Sequence, residues 1–124
     1  MANRITAWCF DCEDPDKLAA FWTAVLQWVV TESDEEGVSI KPSADAGWGI
    51  DFFVVPDGPK RSKNRLHLDL NPTDRDQDAE LQRLLELGAR RVDVGQGDVT
   101  WHVLADPEGN EFCLLRRRVE PGHA

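Results

Sequence analysis

The 124-residue sequence predicts an α+β fold of two tandem βαβββ modules whose curved sheets form a barrel-like pocket. Three observations predict it. Two amphipathic helices each start at an aspartate, at Asp14 and Asp74, sixty residues apart. Their apolar stripes align at the same offset: Ala19 with Ala79, Phe21 with Leu81, Val25 with Leu85. The last strands also align, Asp51 to Val55 with Glu111 to Leu115. Agreement of cap, stripe and strand on one offset marks an internal repeat.

The elements follow in order. Residues 4–11 read as a strand, with Thr6, Trp8 and Phe10 on one face and Ala7, Cys9 and Asp11 on the other. Asp14 can cap free backbone N–H groups, and Pro15 suits the first helical position. Leu18, Phe21, Trp22, Val25 and Leu26 continue at helical spacing. A hairpin is expected from 28–32 and 37–41 around Asp34 to Gly37, and a fourth strand at 48–55. Pro56 to Lys63 is a polar connection that separates module one, about 3–56, from module two, about 64–118, of a single domain. In module two, Leu66, Leu68 and Leu70 alternate with Arg65, His67 and Asp69, predicting a half-buried strand at 65–71. Asp74 and Gln77 have capping-box spacing, Leu81, Leu84 and Leu85 form the stripe, and Gly88 stops the helix. Strands are expected at about 89–94, 98–104 and 111–117, the last following the turn Asp106 to Asn110.

Charge and cysteine content narrow the function classes. Fourteen basic residues against twenty-three acidic ones leave a net charge of -9, which argues against nucleic acid or an anionic membrane as partner. No apolar run approaches the ~20 residues of a membrane helix. Three cysteines, an odd number, and the absence of a signal peptide favour a reducing cytoplasm. Cys9 and Cys12 lack a second pair of the same spacing, so a structural zinc site has no support.

With one face of each sheet under its helix, the other face carries the chemistry. Ala7, Cys9 and Phe53 come from module one, with Trp48 at a strand start. His67, Asp69, Glu111 and Cys113 come from module two, with Trp101 at a strand start. Together these residues would line a ligand pocket of mixed polarity. His67 is the candidate catalytic side chain, as a general base or an orienting donor. Asp69 and Glu111 are a candidate carboxylate pair, and Cys113 is either a nucleophile beside His67 or a small buried hydrophobe. Trp8, Trp22 and Trp28 fit the helix–sheet core, and Asp106 and Asn110 fit the turn.

Asp14-Pro-Asp-Lys-Leu-Ala-Ala-Phe-Trp-Thr-Ala-Val-Leu-Gln-Trp28 resembles the first-helix signature of the glyoxalase, bleomycin resistance and dioxygenase superfamily, the vicinal oxygen chelate proteins. Leu87-Gly88-Ala89 resembles its second-helix ending, and Ala105 to Leu115 its final turn and strand. Asn64-Arg-Leu-His-Leu-Asp-Leu70 is similar to its glyoxalase-like domain subgroup. The resemblance implies a small-molecule ligand and association as a homodimer. In metal-dependent members it also implies four ligands, which here fall at Ala7, Phe53, His67 and Cys113. Ala7 and Phe53 offer no donor, so no cofactor is expected, and any divalent metal would rest on His67 and Cys113. The leading expectation is a small-molecule-binding protein without the family's metal site. The alternatives are a lyase, isomerase or dioxygenase using His67 with or without a divalent metal, and a regulatory or interaction module with an empty groove.

Overall fold

A computed structural model describes residues 2–122. The order is β1 (Ala7–Cys12), α1 (Pro15–Leu26), β2 (Val29–Asp34), β3 (Gly37–Lys41), β4 (Gly49–Val54), β5 (Leu68–Leu70), α2 (Gln77–Leu87), β6 (Arg90–Arg91), β7 (His102–Ala105) and β8 (Glu111–Leu114). This is the mixed α+β arrangement the sequence predicts, with two four-stranded sheets and two helices. The sheet orders are β1-β4-β3-β2 and β5-β8-β7-β6. In each sheet the first and last strands pair in parallel and the remaining neighbours pair antiparallel. Two compact units result, one running to Pro59 and one from Lys60 to Gly122. Among the described residues no helix is long and apolar enough to cross a membrane.

In the first unit, Asp14 Oδ1 accepts the Lys17 N–H at 3.1 Å and Pro15 opens α1. The helix ends at Gln27, whose φ of 57° turns the chain left-handed. Leu18, Ala19, Phe21, Trp22 and Val25 are buried. Phe10 reaches them from β1, 6.5 Å from Trp22 and 5.5 Å from Phe52 between ring centroids. Full burial of a side chain such as Phe52 contributes about 3 kcal/mol relative to exposure. Gly49 is required where β3 and β4 meet, because a Cβ there would run into the Ile40 carbonyl. Only Trp22 among the tryptophans is fully buried. Trp8, expected in the core, is 37% exposed, and Trp28 meets Trp48 edge-on at 5.2 Å instead of joining the helix–sheet core.

The second unit departs from the predicted boundaries. The strand expected at 65–71 is confined to Leu68–Leu70, because the chain bends at Arg65 and Leu66 and leaves Leu66 70% exposed. The cap of α2 is Asp76, which accepts the Ala79 N–H at 2.9 Å. Asp74 instead forms two hydrogen bonds with the Arg75 guanidinium. Asp76 is three residues before its donor, the same reach as Asp14 to Lys17, so the true caps lie sixty-two apart. Gln77 then becomes the first helical residue, and its amide donates to the Leu114 carbonyl at 3.1 Å. Gly88 closes the helix at φ 117°, as expected. The strands expected at 89–94 and 98–104 shrink to Arg90–Arg91 and His102–Ala105. Between them runs an irregular loop whose Gly95 and Gly97 have positive φ.

The repeat therefore holds in topology but not at one residue offset. Ala7 pairs with Gly49, forty-two residues on, whereas Leu68 pairs with Phe112, forty-four on. A slip of two keeps every side chain on its face, while a slip of one would invert the sheet. Phe112 and Leu114 are accordingly buried at 0% and 1%, and Cys113 points to the opposite side.

Candidate functional site

The hairpin of β7 and β8 fixes the site. Asp106 is fully buried, and its Oδ1 accepts the N–H groups of Glu108 at 2.9 Å and Asn110 at 3.0 Å. The Asn110 amide returns to Asp106 Oδ2 at 2.9 Å, and Gly109 takes φ 87°. Asp106 and Asn110 thus hold the turn, as expected, and set where Glu111 and Cys113 begin the last strand.

All five module-two candidates line one cavity of about 390 Å³: His67, Asp69, Trp101, Glu111 and Cys113. That volume lies within the range of small-molecule pockets, roughly 300–1,000 Å³. Its apolar wall is made by Val94, Trp101, Val103 and Leu115. Val94, at the end of the strand expected at 89–94, and Gln96, in the connection after it, come from the irregular loop before β7. Neither carries a residue-type signal, because pocket walls assembled by a loop depend on its path rather than its composition.

The polar end has a definite geometry. Asp69 on β5 lies opposite Cys113 on β8 in the parallel pair. His67 Nε2 stands 3.3 Å from Asp69 Oδ1. Residues two apart on a strand are about 6.6 Å apart along it. The side chains close that gap, helped by the bend before Leu68. One donor atom from each of His67, Asp69 and Cys113 lies within 4.8 Å of the others, the one such trio of metal-capable groups found among the described residues. Cys113 keeps 8% of its surface, whereas the His67 and Asp69 side chains are 42% and 53% exposed. Burial raises the Cys113 thiol above its usual range, and the Asp69 charge and hydrogen bond push the same way against a smaller opposing effect of Lys63. The carboxylate stands between imidazole and thiol. A thiol held protonated and bonded to a carboxylate is a poor nucleophile.

Glu111 is differently employed. Its carboxylate accepts the Asn64 N–H at 2.8 Å and the Lys60 ammonium at 3.0 Å. Asn64 also donates to the Asn110 side chain at 2.9 Å. Burial would raise the Glu111 carboxyl, but these hydrogen bonds and the Lys60 charge outweigh it and hold it below the usual range. The pairing of Asp69 with Glu111 as acid and base is therefore not what the geometry provides: Glu111 ties the connecting segment to the cavity rim. Lys60 sits in the polar connection, where nothing distinguishes it from its neighbours in sequence.

The module-one candidates belong to the first unit. Ala7, Cys9 and Phe53 are on β1 and β4, and Trp48 precedes β4. Cys9 lies opposite Asp51, a Cys–Asp pair with the strands exchanged relative to Asp69 and Cys113. Burial, then the charges of Asp51 and Asp11, raise the Cys9 thiol as well. Ala7 stands two residues before Cys9, where His67 stands two before Asp69. Of the four ligand positions implied by the resemblance, Ala7 and Phe53 are hydrocarbon, so this residue set does not fit a four-donor metal site drawn from both modules.

A family model described as a glyoxalase-like domain matches residues 7–115. No curated protein matches the chain. Solved structures share the fold at low identity. A glyoxalase-related enzyme from Fulvimarina pelagi is 14% identical over 91% of this chain and 87% of its own, with a TM-score of 0.64. A glyoxalase/bleomycin resistance protein/dioxygenase family enzyme from Burkholderia phytofirmans PsJN is 16% identical over 88% and 94%, with a TM-score of 0.65. A fosfomycin resistance protein, FosX, from Listeria monocytogenes, complexed with Mn(II) and 1S,2S-dihydroxypropylphosphonic acid, is 15% identical over 93% and 90%, with a TM-score of 0.66.

Proposed function

From the premise that the chain belongs to the glyoxalase-like domain family, we propose that it binds a small organic molecule on the open face of its second sheet. The observation that carries this reading is the cavity beside Cys113, where one wall is apolar and one end holds the His67–Asp69 pair. Trp101 offers an aromatic face for a flat group. The carboxylate of Asp69 and the imidazole of His67 offer hydrogen-bonding partners for a polar substituent. The net charge of -9 draws neutral or cationic compounds in preference to anions.

The binding reading is tested by screening such compounds against chelator-treated protein, with thermal shift and tryptophan fluorescence as readouts. The expected result is a compound that raises the melting temperature and changes fluorescence in the wild type, with the fluorescence change reduced in Trp101→Phe and the affinity reduced in Asp69→Asn. A hit whose binding ignores both variants would place the ligand elsewhere and refute the site. Association of two copies is a separate part of the proposal, checked by sedimentation equilibrium.

A second reading, enzymatic, rests on the His67–Asp69 contact. With Asp69 Oδ1 3.3 Å from Nε2, the tautomer that carries its proton on Nε2 would leave Nδ1 with a lone pair, which suits a general base in lyase or isomerase chemistry. Turnover of a bound compound that His67→Ala abolishes, with binding retained, would select this reading over simple binding.

A further inference from the structure

We propose that His67, Asp69 and Cys113 form a one-module binding site for a borderline divalent cation of the zinc class. The site differs from the two-module arrangement that the resemblance implies, because module one supplies no donor at Ala7 or Phe53 and Asp69 takes up a role within module two. It goes beyond small-molecule binding and does not require it.

Three observations carry the proposal. First, the donors are assembled: a ring nitrogen of His67, a carboxylate oxygen of Asp69 and Sγ of Cys113 lie within 4.8 Å of one another. Zinc bond lengths of about 2.0–2.3 Å in a tetrahedron require donors roughly 3.3–3.6 Å apart. The His67–Asp69 separation of 3.3 Å already meets that value. Second, register holds the pair in place, since Asp69 and Cys113 are direct partners in the parallel β5–β8 ladder. Third, the donor chemistry is selective. One sulfur, one nitrogen and one oxygen suit zinc or cobalt, whereas magnesium and calcium require oxygen ligands.

The charge balance also works. A divalent ion would bind Cys113 as the thiolate, the thiol proton passing to solvent as the sulfur–metal bond forms. The two anionic donors would then balance the charge of the ion, within the cavity that all three residues line. The first unit supplies an internal comparison. It has the Cys9–Asp51 pair but Ala7 in place of the histidine, so it lacks this trio.

The test is titration of metal-free, full-length protein with Co(II) and with Zn(II). The expected result is one equivalent bound, a thiolate-to-cobalt charge-transfer band in the near ultraviolet, and release of about one proton per ion at neutral pH. Zn(II) should displace the cobalt and abolish the band. Cys113→Ser should lose the band, and His67→Ala and Asp69→Asn should weaken binding by more than about tenfold. Cys9→Ser should leave all of this unchanged. Absence of a stoichiometric thiolate band in the wild type overturns the proposal, and so does a band that survives Cys113→Ser or disappears with Cys9→Ser. Because the wild type alone can refute it, a variant that fails to fold does not protect it. Running the ligand screen in chelator keeps its outcome separate from this one.

Discussion

Replacing Glu111 by glutamine should cost stability at neutral pH and nothing in acid. The carboxylate receives two hydrogen bonds, from the Asn64 N–H and the Lys60 ammonium. Its side chain is 13% exposed and that of Lys60 is 25% exposed, so solvent screens the pair only in part. Hydrogen bonds involving a charged group contribute about 1.5–3 kcal/mol each. Glutamine keeps an oxygen for Asn64 but loses the charge that holds Lys60, so the expected loss is about 1–2 kcal/mol, or roughly 5 °C in melting temperature. The pH dependence has a fixed sign. The Glu111 carboxyl is lowered from 4.5 in the folded protein, so the unfolded chain binds a proton first as pH falls. The contribution is therefore complete above about pH 4.5 and disappears as pH drops through the lowered folded value. Urea unfolding of both proteins between about pH 3 and pH 7 measures the gap. A gap of equal size at both ends, or none at neutral pH, would refute the claim that charge holds the connector to the rim.

The buried Asp106 should matter more. Asp106→Ala leaves the N–H groups of Glu108 and Asn110 without their acceptor. At about 1–3 kcal/mol for each buried unsatisfied donor, the expected loss is roughly 2–4 kcal/mol, with Asp106→Asn recovering part of it. Thermal unfolding decides, and a loss below about 1 kcal/mol would mean that water replaces the carboxylate. The Cys113 thiol should alkylate more slowly than free cysteine at neutral pH, because burial and Asp69 both disfavour its thiolate. In a background without Cys9 and Cys12, Asp69→Asn should speed the reaction with iodoacetamide, and an unchanged rate would separate Asp69 from the thiol.

Local chemistry made much of the fold legible. Asp14 and Pro15 start α1, Gly88 ends α2, and Asp106 to Asn110 closes the last hairpin through interactions among near neighbours in sequence. Alternation set the faces of β8, so Phe112 and Leu114 fall on the buried side and Cys113 on the other. It was less able to set the length of β5. Leu66 fits the alternation, yet strand exists only where β8 offers partners, from Phe112 to Leu114. The cap of α2, expected at Asp74, falls at Asp76. The two aspartates have the same local chemistry, and with the helix starting at Gln77 that side chain reaches the Leu114 carbonyl, a contact local sequence does not reveal.

By itself, the sequence determined the two-module α+β plan and the candidates His67, Asp69, Trp101, Glu111 and Cys113, because capping, periodicity and face alternation act over a few residues. Tertiary structure alone decided what those candidates do together. It paired Asp69 with Cys113 across β5 and β8, brought His67 to 3.3 Å from Asp69, and engaged Glu111 with Lys60, fifty-one residues away. Such contacts depend on strand register and backbone bends, which are fixed only when distant segments pair.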